Sequence, residues 1–200
     1  MRLNGEEKSM VEALRRLLAE RQGLRTERPG LVPSAVLVPV LVGAEGLSLL
    51  YTKRSEALNH HRGQISFPGG KWSPEDPTLL DTALREADEE VGLDPRDVEV
   101  LGELDEVWTP TGFTILPYVG LIRAPYAFRI NPGEIDRLIE VPWARIPAAG
   151  AFDCELRMVN DEPLEICRFA VNEDVIWGAT ARITRNLMAL FEPVNKGIVG

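Results

Sequence analysis

Basic residues are in short supply: 22 lysines and arginines face 31 aspartates and glutamates over 200 residues, a formal net charge of −9. That balance argues against sequence-independent binding to DNA or RNA, which needs an extended basic surface. A small anionic substrate stays open, because local cations or a bound metal reverse the field inside a cleft. Histidine is limited to His60 and His61, which argues against a histidine-rich zinc site. The two cysteines, Cys154 and Cys167, form no CxxC unit. They are expected as small buried apolar residues rather than as a disulfide or a metal pair. No apolar run approaches the roughly 20 residues that span a bilayer. The opening MRLNGEEKSMVEALRRLLAERQG mixes both charge signs and lacks the apolar core of a signal peptide. No membrane partner and a cytoplasmic location are therefore expected.

What is there suits one domain over residues 1–200, since 44% apolar content in a chain of this length can bury a core. Val11, Leu14, Leu17 and Leu18 recur at helical spacing and predict an amphipathic helix over about 9–22. Two β-branched or apolar runs, 35–43 and 47–54, read as neighbouring strands, plausibly a hairpin, and 64–70 as an extended piece ending in a Pro-Gly-Gly turn. A helix is predicted from Pro77 to Val91, with Asp76 as its N-cap, Pro77 in the first position and Gly92 closing it. Strands follow at 98–108 and 113–122, and a short helix at 133–140. Strand signals around 156–159 and 166–171 precede a closing amphipathic helix at 178–191. Interleaved strands and helices give an α/β or α+β fold, a sheet covered by helices. The N-terminal helix and the apolar strands offer surfaces for a homodimer.

The run Arg85-Glu86-Ala87-Asp88-Glu89-Glu90-Val91-Gly92 crowds four acids into the end of a helix. There the macrodipole favours cations, and like charges repel. At roughly 100° per residue, Glu86 and Glu90 stack one turn apart on an exposed flank, opposed to the stripe of Leu80, Ala83, Leu84, Ala87 and Val91. Glu89 and Arg85 lie beside them. A divalent cation relieves both the repulsion and the unfavourable dipole, and carboxylate oxygens are what magnesium accepts. Just upstream, Gly69 and Gly70 permit close backbone approach to a ligand. The absence of GxxxxGK[ST] argues against a P-loop NTPase.

With those residues in view, the segment resembles the Nudix box. The match is Gly70, then Arg85-Glu86-Ala87, Glu89-Glu90 and Gly92-Leu93. The spacer is one residue longer than the usual box, with Glu75 or Asp76 where a glutamate is customary. Residues 50–93 look like the coenzyme A pyrophosphatase branch, which carries an extra motif before the box. Leu50, Thr52, Arg54, Ser55, Gly63, Phe67, Pro68, Gly69 and Gly70 match it, whereas Asn59 stands where an arginine is expected, with Arg62 close by. The stretches 108–120 and 176–183 also look like this branch.

The resemblance implies a Nudix-type α/β/α sandwich with a mixed sheet and flanking helices. It also implies magnesium- or manganese-dependent hydrolysis of coenzyme A to 3′,5′-ADP and 4′-phosphopantetheine. A different nucleoside diphosphate derivative, such as ADP-ribose or NADH, is the alternative substrate, and a non-catalytic nucleotide-binding module the alternative role. Glu86 and Glu90 are the first metal ligands, with Glu89 as ligand or as the base, and the Gly70 carbonyl completing the shell. Arg85 orients the glutamates, and Glu134 is the leading base from outside the box. Lys53, Arg54, Arg62 and Lys71 are the candidates for holding phosphate. His60 and His61 are structural or line the substrate.

Overall fold

A computed structural model describes residues 5–26, 28–56 and 62–198, the side chains of residues 6 and 192–198 excepted. Asn59, His60 and His61 lie outside the described residues. The chain is a mixed α/β structure in which one sheet is covered by helices on both faces. Three helices, α1 (Gly5–Ala19), α2 (Leu79–Val91) and α3 (Gly178–Ile198), flank β1 (Val32–Gly43), β2 (Gly46–Arg54), β3 (Ile65–Ser66), β4 (Gly69–Lys71), β5 (Val98–Glu103), β6 (Val107–Thr109), β7 (Phe113–Arg123) and β8 (Ile135–Pro142). A separate three-stranded sheet holds β9 (Asp153–Val159), β10 (Glu162–Val171) and β11 (Asp174–Trp177).

The central sheet runs β3-β2-β1-β7-β5, with β4 added to β1, β6 to β7 and β8 to β2. Its β1–β7 pairing is parallel and the others are antiparallel. Alternation along the strands sorts side chains between two cores. Val38, Val40, Leu49 and Tyr51 pack with Leu14 and Leu18 of α1 and with Ile183, Leu187 and Phe191 of α3. Ala35, Leu37, Leu41 and Leu50 pack against Ala83, Ala87 and Val91 of α2. Among the described residues no helix is long and apolar enough to cross a membrane.

Several local expectations are corrected. The predicted helix at 133–140 is instead β8, paired antiparallel to β2. Ile135 and Ile139 are one helical turn apart, but both are buried by the sheet along with Val141, so tertiary pairing overrides the local pattern. The predicted strand 98–108 is two strands, β5 and β6, divided by residues 104–106. Gly69-Gly70 is strand rather than turn, opposite Val36 and Ala35. Gly69 has φ +155° and so little room that a Cβ would lie 2.3 Å from the Ala35 carbonyl oxygen.

The two cysteines are joined. Cys154 and Cys167 are direct partners across the β9–β10 ladder and form a disulfide. Their separation along the chain is set by a hairpin, which brings opposite residues close enough to bond.

Candidate active site

The N-cap of α2 is Thr78, not Asp76: the Thr78 hydroxyl accepts from the Asp81 N–H at 3.2 Å, and the helix proper starts at Leu79. Asp76 is thereby free to receive Arg85. The Arg85 guanidinium donates from Nε to Oδ1 and from Nη2 to Oδ2, both at 2.9 Å. Thr82 adds a hydroxyl bond to Oδ2 at 2.8 Å. Asp76 is buried, and these bonds, led by Arg85, hold its carboxyl far below the ordinary range. With one edge fixed, the guanidinium turns its Nη1 to Glu86 at 2.9 Å and Glu89 at 3.2 Å. A two-pronged pair of this kind fixes orientation as well as charge.

Glu86 and Glu90 are not both on an exposed flank. Glu90 is only 2% exposed. Burial, with the charges of Glu86 and Glu134 added, pushes its carboxyl up to about 8 against the opposing pull of Arg54. Arg54 Nη1 stands 3.5 Å from Glu90 Oε1, whereas the buried Glu90 Oε2 has no hydrogen-bond partner among the described residues. Burial also raises the Glu86 carboxyl, although Arg85 opposes it. Gly70 is pressed against this second carboxylate: a Cβ on it would lie 2.4 Å from Glu86 Cδ.

The helix end is closed by backbone rather than by cations. No basic residue occupies the last turn of α2. Gly92, left-handed at φ 65°, donates to Ala87 and Asp88. Arg129 N–H and Asn131 N–H then donate to the Val91 and Glu90 carbonyls at 2.8 and 2.9 Å. The same loop delivers Glu134, whose carbonyl accepts from Ser55, the residue after Arg54, at 2.8 Å. Its carboxylate accepts from Asn131 Nδ2 at 3.2 Å. Glu134 therefore enters through a loop clipped to both β2 and α2, a placement invisible when 133–140 is read as helix.

The structure thus brings Glu86, Glu90, Gly70, Arg85, Arg54 and Glu134 into one neighbourhood. Glu89 stays on its edge, its side chain 56% exposed and held by Arg85. Among the described residues, no three of these acids bring an oxygen each within 4.8 Å of one another. Two carboxylates and a nearby glycine backbone suit a hard divalent ion that keeps water or ligand oxygens in its remaining positions. The unpartnered Glu90 oxygen and the close Gly70–Glu86 approach fit such an ion.

The expected phosphate-holding cations are dispersed. Arg54 faces Glu90. Lys53, on the opposite face of β2, donates to Asp174 at 3.3 Å. Lys71 lies over the Phe113 ring, 5.3 Å from its centroid, and Arg62 is exposed in the turn before β3. A cavity of about 590 Å³ lies elsewhere, beside Arg28, Trp108 and Asn160. Since none of the gathered acids lines it, chemistry rather than concavity marks the site. Arg137 and Asp174 escaped sequence reasoning, and so did the pairing of Asp76 with Arg85. Only the Asp76 partnership had a local trace, an acid just ahead of the helix that carries Arg85.

Residues 31–152 match the NUDIX domain family. The chain is 39% identical over 163 residues to an uncharacterized Nudix hydrolase NudL of Yersinia enterocolitica, covering 77% of this chain and 78% of that one. It is 37% identical over the same length to an uncharacterized NudL of Yersinia pestis. Among solved structures, a MutT/nudix family protein from Enterococcus faecalis aligns over 98% of this chain and 76% of its own, with a TM-score of 0.51 and 15% identity.

Proposed function

The chain belongs to the Nudix hydrolase family, and we propose that its substrate is coenzyme A, cut at the diphosphate to give 3′,5′-ADP and 4′-phosphopantetheine. The observation that carries this reading is the meeting of Arg54 with Glu90 beside Gly69 and Gly70. These are residues of the segment resembling the coenzyme A pyrophosphatase branch, and they stand against the acids of α2. Leu50, Thr52 and Arg54 lie on β2, and Gly69 and Gly70 form the start of β4, so one motif builds one wall.

In this reading Glu86, Glu90 and the Gly70 carbonyl hold magnesium or manganese. When bound, a divalent ion neutralises non-bridging phosphate oxygens and acidifies coordinated water. Arg85, locked by Asp76, keeps the Glu86 carboxylate in place. Glu134 accepts the proton of the attacking water. Its charge acts on both Glu86 and Glu90, while Glu89 is exposed and already paired. The reading takes the chain as one domain acting in the cytoplasm.

The test is turnover of coenzyme A, ADP-ribose and NADH by the purified protein with magnesium, repeated with chelator. Chelator-sensitive cleavage of coenzyme A in preference to the others supports the assignment. Preference for ADP-ribose or NADH rejects it.

A further inference from the structure

Lys53 and Arg137 are direct partners across the β2–β8 ladder, and both reach the same carboxylate. Lys53 Nζ is 3.3 Å from Asp174 Oδ1, and Arg137 Nη2 is 2.6 Å from Oδ2. Asp174 belongs to β11, in the other sheet, and its side chain is 12% exposed. Although burial works against ionisation, the bonds from Arg137 and Lys53 hold its carboxyl below the ordinary range. Two cations sharing one carboxylate leave one net positive charge. They also leave unused donors, since an ammonium has three N–H groups and a guanidinium five.

A second source of positive potential meets them. Ile65 of β3 is the ladder partner of Lys53, and its carbonyl accepts from the Thr180 hydroxyl at 3.1 Å. Thr180 is in the first turn of α3, a helix of 21 residues with no acid in that turn. The amide groups at such an end carry about half a positive charge. Arg54, the neighbour of Lys53 along β2, turns to the opposite face and reaches Glu90. Neighbouring residues of β2 thus serve opposite faces, Lys53 reaching Asp174 and Arg54 reaching Glu90 of α2, with Gly69-Gly70 only a few residues beyond Ile65.

We propose that Lys53 and Arg137, aligned by Asp174 beside the first turn of α3, form a recognition site for a phosphate monoester on the nucleotide half of the substrate. The proposal deepens the coenzyme A reading and rests on it: the 3′-phosphate binds here while the diphosphate lies at Glu86 and Glu90. A site of this kind distinguishes coenzyme A from its 3′-dephospho form, because removing the monoester leaves the donors facing water. Asp174 sets the spacing of the two cations and prevents their mutual repulsion when no ligand is present.

The experiment compares binding of 3′,5′-ADP and of AMP, which differ only in the 3′-phosphate, by calorimetry with magnesium present. The wild type is expected to bind 3′,5′-ADP at least tenfold more tightly. Lys53→Met and Arg137→Met should each bring that ratio toward unity, and Arg137→Lys should restore part of it. A thermal melt identifies any variant that does not fold. Equal wild-type affinities, or a ratio that survives in folded Lys53→Met and Arg137→Met, would overturn the proposal. If the wild type fails to cleave coenzyme A, the substrate reading falls, and the binding ratio still decides the phosphate site.

Discussion

The guanidinium of Arg54 ends 3.5 Å from the Glu90 carboxylate, and the second oxygen of that buried group has no partner among the described residues. Arg54 and a backbone bond from Gly69 do not offset the burial, so ionisation of this carboxyl is disfavoured. In the proposed reading this carboxylate is a metal ligand. Replacing Glu90 by Gln should therefore lower kcat by about 10³-fold, the order seen when a principal electrostatic contact is removed. Stability should be unchanged or raised, because a group whose ionisation burial penalises is replaced by a neutral one of the same shape. Turnover and a thermal melt on the same preparation check both halves.

Gly70 makes a sterically narrower test. Gly70→Ala adds a methyl 2.4 Å from Glu86 Cδ, so the carboxylate must move. A shift on the ångström scale at a reacting centre lowers activity by about 10²-fold. Gly70 is not at positive φ, so backbone strain does not add to the effect. The expected outcome is a large fall in kcat with a small change in melting temperature. Equal losses in both would mean that the glycine serves the fold alone.

Asp76 links the site to acid stability. Its carboxyl is held below the ordinary value of 3.8, chiefly by Arg85. The sign is that of a depressed acid: the stabilisation is fully present above the unfolded value and is lost as pH falls below it. Asp76→Asn should destabilise the protein by about 2 kcal/mol at neutral pH, a charged hydrogen bond's worth. The difference from wild type should shrink as pH falls below about 4, near the free aspartate value. Chemical denaturation at several pH values measures this directly.

In the proposed mechanism Glu134 is the base, with Glu89 as the alternative. Glu134→Gln should reduce kcat by about 10²–10³-fold, within the range of general-base contributions, whereas Glu89→Gln should cost less than tenfold. The reverse order in pre-steady-state turnover would assign the proton to Glu89.

The Cys154–Cys167 bond ties the hairpin far from these acids in sequence. Reduction, or the paired Cys→Ser variant, should lower stability by up to about 3 kcal/mol, the entropy of closing a short loop. Turnover at low temperature should be spared. Differential scanning calorimetry with and without reductant checks the first statement, and a parallel assay the second.

The elements with strong periodicity were legible in the sequence: α2, the β1–β2 pair and β7 stand within a few residues of their predicted bounds, and α3 starts at the predicted Gly178 but runs past 191 to Ile198. The Arg85–Glu90 cluster was legible for a different reason, because its charge conflicts with the helix end that carries it. What escaped depended on partners distant in the chain. Residues 135–142 carry a pattern compatible with helix until β2 supplies the ladder. Cys154 and Cys167 become partners only once the hairpin register exists. Asp76 looks like a cap until Thr78 takes that position and Arg85 claims the carboxylate. Glu90 is buried where Arg54 of β2 meets its carboxylate and the 129–134 loop closes on its carbonyl, and no property of α2 alone predicts that.

The most direct measurement is a calorimetric titration of magnesium, and of manganese, into the wild type and into Glu86→Gln and Glu90→Gln. Saturable binding by the wild type that falls at least tenfold in both variants is predicted. Indistinguishable isotherms in the three proteins would contradict the assignment of these glutamates as metal ligands.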